Sequence, residues 1–354
     1  MGMERYGHGG DWLTANEVYG KPADGWLDFS ANMNPWGPPE IVGTLMKERW
    51  REIARYPDPA VRGLRRKLAE AYGIPEESIL AGNGAAELID LAVRVQRPEE
   101  IVLARPSFSE YEDAVRKAGS RVREAFLRED EGFELRDPEP FASRAVFLGH
   151  PNNPTGRLIP QPFLERLWES GSNLLLDEAF IDFSPDEHSI SWIRRAAESD
   201  RVLVIRSMTK FYAMPGIRLG FLAAHPDRIR RMAAQQTPWS VNFLAQMIGE
   251  AVLDESEYAE RTRAWLQEER PWLVGGLRSL GLTVYPGDAN YLLFSLRGHA
   301  GWDAARLQRA MAEKGILVRD ASRFAGLDSS YIRVAIRLRQ DNERLLKALK
   351  ECLT

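Results

Sequence analysis

Short apolar runs alternating with amphipathic stretches constrain this chain more than any other feature of it. Between residues 101 and 205 the runs at 101–104, 122–127, 145–148, 174–176 and 202–205 read as buried strands. Helical periodicity fills 109–118 and 161–169. A strand–helix–strand rhythm of this kind predicts an α/β fold, with a mostly parallel sheet covered by helices on both faces. Upstream, helical periodicity begins after Pro38-Pro39 and runs towards Arg55, and a second helix follows Pro59. Residues 1–39, rich in Gly, Pro and Asn, read as an arm rather than a core element. From about 244 to 280 a charged helical stretch is predicted to break near Pro271. Beyond it the order changes to strands near 282–285, 291–295, 316–319 and 332–336, with helices at 304–314 and from Asp341. That pattern predicts a smaller α+β domain. The expected division is 1–50 as arm and small-domain segment, 51–265 as the large domain and 266–354 as the small one.

In open α/β sheets ligands bind beyond the carboxyl ends of strands, and four such ends carry unusual residues. The first, Ser207-Met208-Thr209-Lys210, precedes Gly216-Ile217-Arg218-Leu219-Gly220. A lysine at the mouth of a buried strand is costly when charged, yet a partly neutral amine can form a Schiff base with an aldehyde. The hydroxyls and Arg218 suit a phosphate. Lysine, aldehyde and phosphate together suggest pyridoxal 5'-phosphate. The second, Gly82-Asn83-Gly84-Ala85, opens a helix whose backbone N–H groups suit an anion. The third, Pro151-Asn152-Asn153-Pro154-Thr155-Gly156, pins two amides between prolines. The fourth, Leu174-Leu175-Leu176-Asp177-Glu178-Ala179-Phe180, leaves an acid at a strand end that needs a partner, for which a pyridinium N–H serves. Taken singly, each also fits a plain structural role: a surface lysine, a glycine turn, a proline-rich turn, a helix cap or ion pair.

Together the motifs resemble those of the fold-type I pyridoxal-phosphate enzymes, and from about residue 25 onward the chain resembles the class I/II aminotransferase family. The resemblance implies a seven-stranded, mostly parallel sheet and a set of roles. Lys210 would hold the cofactor covalently and shuttle the proton, and Asp177 would pair the pyridine nitrogen. Asn153 would meet the ring hydroxyl and the substrate, and Phe108 would stack on the ring. Gly84, Ala85, Ser207 and Arg218 would hold the phosphate. Tyr56, in Arg55-Tyr56-Pro57, would reach the cofactor of a partner subunit, implying a homodimer. Arg333, in Tyr331-Ile332-Arg333-Val334-Ala335, would clamp the substrate carboxylate.

Two branches of the family compete. One transaminates histidinol phosphate. The other decarboxylates phosphorylated threonine for cobalamin biosynthesis, and this chain resembles it at His8-Gly9-Gly10, at Asn32-Met33-Asn34-Pro35, in Phe180 where the first branch has tyrosine, and at Pro238-Trp239-Ser240-Val241-Asn242. The second resemblance implies that His8, Gly9, Asn32, Arg319 and Arg333 contact a phosphorylated amino acid. The reaction follows from whichever Cα bond is held perpendicular to the cofactor ring.

Charge and cysteine usage narrow the remaining classes. The formal net charge is −4 and no basic stripe suggests nucleic acid. Only about forty residues precede the first core helix, few for a DNA-binding segment. The single cysteine, Cys352, makes no intrachain disulfide or paired metal site, so a cytoplasmic setting and no metal are expected. Residues 1–13 contain no apolar signal region, and no run is long enough to span a membrane.

Overall fold

A computed structural model describes residues 8–353. Thirteen strands fall into three sheets: β1 (Leu27–Asp28), β2 (Ile79–Gly82), β3 (Glu100–Arg105), β4 (Arg121–Phe126), β5 (Ala145–Gly149), β6 (Asn173–Asp177), β7 (Val202–Ser207), β8 (Gly220–Ala224), β9 (Thr283–Val284), β10 (Tyr291–Ser295), β11 (Ile316–Leu317), β12 (Arg319–Asp320) and β13 (Tyr331–Ala335). The large sheet has seven strands in the order β2-β8-β7-β6-β5-β3-β4. Only β8 runs against its neighbours.

The central strands are apolar throughout because both faces are covered. Leu174, Leu176, Val202 and Val204 enter one core, while Leu175, Leu203 and Ile205, one residue out of phase, enter the core on the other face. The first core is closed by helices including Arg62–Tyr72, Gln161–Glu169 and Phe243–Val252. The second is closed by Ala85–Gln96 and Ser109–Lys117. The antiparallel sheet β12-β13-β10-β9 packs with Ala304–Glu313 and Arg339–Leu353 around a separate core.

Two expectations are corrected. The helix Ser256–Ser279 runs unbroken through Pro271. The interruption falls at 253–255 instead, after Phe243–Val252. Proline removes one ladder hydrogen bond, but Leu266, Leu273 and Leu277, buried on either side of it, hold the helix to its core. The opening segment is also more structured than an arm. It contains the helix Trp12–Tyr19, capped by Asp11, and β1, which pairs in parallel with β11. Leu27 and Phe29 are buried there. Tertiary pairing supplies what two strand residues lack by themselves. The first seven residues of the expected arm lie outside the described ones.

Candidate active site

The carboxyl ends of the parallel strands converge on a cavity of about 330 Å³. Register explains the convergence. Asp177, last in β6, pairs with Ile205 of β7, so the acid and the Lys210 turn leave neighbouring strands at one edge. Because β8 is antiparallel, its first residue arrives where its neighbours end: Gly220 pairs with Gly82 on one side and Ser207 on the other. Three sequence-distant segments, bearing Ala85, Ser207 and Arg218, thereby meet on the cavity wall. The strands at 79–82 and 220–224 were not separately predicted, and they bring this corner together.

At this corner the helix Ala85–Gln96 presents its N-terminus, with Ala85 and Ala86 on the cavity wall. Gly84 is the N-cap at φ +82°, and a Cβ there would lie 2.6 Å from Arg218 Nη2. The missing side chain lets the guanidinium close over the helix end. Ser207 Oγ and Thr209 Oγ1 lie 2.8 Å apart, both buried, and both line the same wall. N–H groups, two hydroxyls and a guanidinium make an anion site.

Lys210 opens onto the cavity. Burial lowers its pKa to about 8, assisted by Arg333 and then Arg218, while Asp177 opposes the shift. Asp177 is buried and its Oδ2 accepts from the Tyr111 hydroxyl at 2.7 Å, its Oδ1 from the Ala179 N–H at 3.0 Å. Burial pushes its carboxyl upward, and these two bonds and Lys210 pull it down. Phe108 lines the wall close to Tyr111, with ring centroids 5.7 Å apart. Tyr111 in turn stacks on Phe147 at 4.1 Å.

The far side is built from the small sheet and the opening segment. Arg333 Nη1 donates to Asn153 Oδ1 at 2.5 Å and Nη2 to the Ser30 carbonyl at 2.7 Å. Arg319 of β12 stands directly opposite Arg333 of β13. Both are buried and both line the cavity. Asn32 Oδ1 is buried on the wall without a hydrogen-bond partner among the described residues. His8 and Gly9 close the rim.

The structure thus brings His8, Gly9, Asn32, Ala85, Phe108, Asn153, Asp177, Ser207, Lys210, Arg218, Arg319 and Arg333 to one cavity. Gly84 lies just behind the wall, where its part is conformational. Tyr56 is elsewhere: 84% exposed, its ring 5.1 Å from Trp239. Thr209 is there as one of the two hydroxyls expected beside the lysine, and Tyr111, for which the sequence suggested no role, belongs to the site as well. The signal for Tyr111 was its place one helical turn after Phe108.

A lysine with a lowered pKa, a buried acid, an aromatic wall and a corner suited to an anion are what a pyridoxal-phosphate site on a fold-type I scaffold calls for. Residues 24–349 match the family model described as aminotransferase class I and II, and the chain belongs to that family, whose members depend on pyridoxal phosphate. Among curated relatives, threonine-phosphate decarboxylase of Salmonella typhimurium is 41% identical, covering 100% of this chain and 98% of its own. The solved L-threonine-O-3-phosphate decarboxylase of Porphyromonas gingivalis is 28% identical with a TM-score of 0.82, covering 92% of this chain and 99% of its own. The solved histidinol-phosphate aminotransferase of Clostridium acetobutylicum is 30% identical with a TM-score of 0.85, over 92% and 98%.

The residues present fit the cofactor. The corner formed by Ala85, Ser207, Thr209 and Arg218 suits a phosphate, and the site lysine and acid stand beyond it at adjoining strand ends. Among the described residues no group of His, Cys, Asp and Glu is arranged to hold a metal ion, and no helix is long and apolar enough to cross a membrane.

Proposed function

We propose that this chain decarboxylates L-threonine O-3-phosphate to (R)-1-aminopropan-2-yl phosphate and CO₂, the linker that cobalamin biosynthesis draws on. The observation that carries the reading is the 41% identity to a threonine-phosphate decarboxylase across the whole chain, and the arginine pair fits it. Two guanidiniums side by side on one cavity wall offer fork-shaped donors for two anionic groups. A substrate bearing a carboxylate and a phosphate at once supplies both. Histidinol phosphate carries the phosphate alone, and the transaminase's second substrate, 2-oxoglutarate, carries two carboxylates and no phosphate. The folds do not separate the two reactions, since TM-scores of 0.85 and 0.82 are nearly equal. The sequence identity to a decarboxylase over the full chain supports the first.

When bound at Lys210, pyridoxal phosphate supplies an electron sink that stabilises the charge left on the substrate Cα. Asp177 holds a proton at the cofactor's ring nitrogen. A cation there lowers the cost of its buried carboxylate, as Lys210 already does in part. The Ala85, Ser207, Thr209 and Arg218 corner binds the cofactor phosphate. Arg333, oriented from behind by Asn153 and Ser30, binds the substrate carboxylate. Asn32 lines the same cavity and would help Arg333 hold the carboxylate in place. Arg319, with His8 and Gly9 of the opening segment, takes the substrate phosphate. Lys210, with its pKa near 8, gives a proton to Cα once CO₂ has left. Tyr56 reaches the cofactor phosphate of a partner in a homodimer. The enzyme acts in the cytoplasm and takes neither nucleic acid nor membrane as partner.

The purified protein, saturated with pyridoxal phosphate and given L-threonine O-3-phosphate, should release CO₂, and Lys210→Ala should not. Glutamate formation from 2-oxoglutarate with histidinol phosphate as donor, without CO₂ from threonine phosphate, would sink the reading.

A further inference from the structure

A carboxylate stands on the wall of this anion-binding cavity. Glu110, in the first turn of the helix Ser109–Lys117, lines it beside Phe108. An acid there repels an anionic substrate unless a hydrogen-bond donor holds it. The partner is His8: its Nε2 lies 3.1 Å from Glu110 Oε1, and the two side chains are 50% and 26% exposed. The bond to His8 is the largest influence on Glu110 and lowers its pKa. The His8 ring also sits near Phe108, with centroids 6.0 Å apart.

The same segment is also fastened to Ser30, another lining residue. The Gly10 N–H donates to Ser30 Oγ at 2.9 Å. Gly9 lies so close that a Cβ would come within 2.2 Å of the Ser30 carbonyl oxygen. That oxygen accepts from Arg333 Nη2. Residues 8–10 are therefore a short strap on the cavity wall, tied to Glu110 through His8 and, through Ser30, to the arginine proposed to bind the carboxylate.

We propose that Glu110 is a positioning residue: it anchors the strap and orients His8, so that the imidazole's second nitrogen serves the substrate phosphate. The arrangement resembles other carboxylate–imidazole pairs, in which an acid on one ring nitrogen fixes the direction of the other. Glu110 itself touches no reacting atom. This inference rests on the decarboxylase reading for the identity of the phosphate, while the anchoring stands on geometry alone.

The test compares Glu110→Ala, Glu110→Gln, His8→Ala and the Glu110→Ala/His8→Ala double variant, all cofactor-loaded. KM for threonine phosphate should rise about tenfold in Glu110→Ala, with kcat changing far less. Gln, which keeps an acceptor oxygen, should recover most of the loss. The double variant should be no worse than His8→Ala, because the two act as a unit. Amide hydrogen exchange at Gly10 should quicken in Glu110→Ala. An unchanged KM in Glu110→Ala, or effects that add in the double variant, would overturn the proposal. If no CO₂ came from threonine phosphate, the functional reading would fail by itself. Exchange at Gly10 would still decide: faster in Glu110→Ala upholds the anchor, unchanged refutes it.

Discussion

At the scale of single residues, the site sets chemistry against stability. Lys210 has its charged form disfavoured in the fold, with a pKa of about 8 against an ordinary value of 10.5. The unfolded chain therefore holds more protons between those values, and stability should rise with pH across that window. Below pH 8 the penalty is present in full, on the order of 2 kcal/mol once reduced for an amine that opens onto a cavity. Lys210→Met should make the cofactor-free protein more stable by about that amount at pH 7, with the advantage shrinking above pH 8 and gone beyond about pH 10.5. Chemical denaturation of both proteins along a pH series measures it. Arg206 poses the opposite case. It is fully buried and bonded to Glu178, Asp182 and Glu187, and a second arginine, Arg263, shares Glu187. Glu178 follows Asp177 in the chain and Arg206 precedes Ser207, so this network stands directly behind the site.

At the scale of elements, a helix N-terminus becomes an anion site only when something completes it. Here Arg218 does so, and Gly84 allows it. Substituting Gly84→Ala should cost twice over, through a left-handed φ of +82° and through a Cβ pressed onto Arg218. Expected is a loss of about 1–2 kcal/mol in stability and roughly tenfold weaker pyridoxal-phosphate binding, read by absorbance titration. Unaltered cofactor affinity would mean that the Arg218 position is immaterial. The pairing of β12 with β13 works similarly. It sets Arg319 against Arg333, and neither two-residue β12 nor its partner would reveal that contact from local sequence.

At the scale of the molecule, the cavity is shared between the large sheet, the small sheet and the opening segment, so no single unit contains the site. Tyr56 points to a further level. It is 84% exposed, beside half-exposed Trp239, and lies outside the cavity it is proposed to serve. In a homodimer, Tyr56→Phe should lose one hydrogen bond to a charged group, worth about 2 kcal/mol, and weaken cofactor binding ten- to thirtyfold. Mixing Tyr56→Phe with Lys210→Ala subunits separates the cases. If Tyr56 serves the partner's site, the mixed dimers hold one site with both defects and one intact site. Sedimentation of the wild-type protein as a monomer would end this prediction.

Much of this was written in the one-dimensional pattern. The parallel strands and the helices between them were legible because a strand buried on both faces must be apolar along its length, as residues 202–205 are. Lys210, Asp177 and Asn153 could be found because each is polar where such a strand ends. Local pattern was silent on what depends on pairing. The antiparallel β8 brings Arg218 to Ala85, β1 is stabilised by β11, and Tyr111 reaches Asp177 across 66 residues of chain. It misjudged Pro271, because burial on both sides of a proline outweighs one lost hydrogen bond. Sequence specifies which residues must leave water; which of them then touch is decided only when the sheets close.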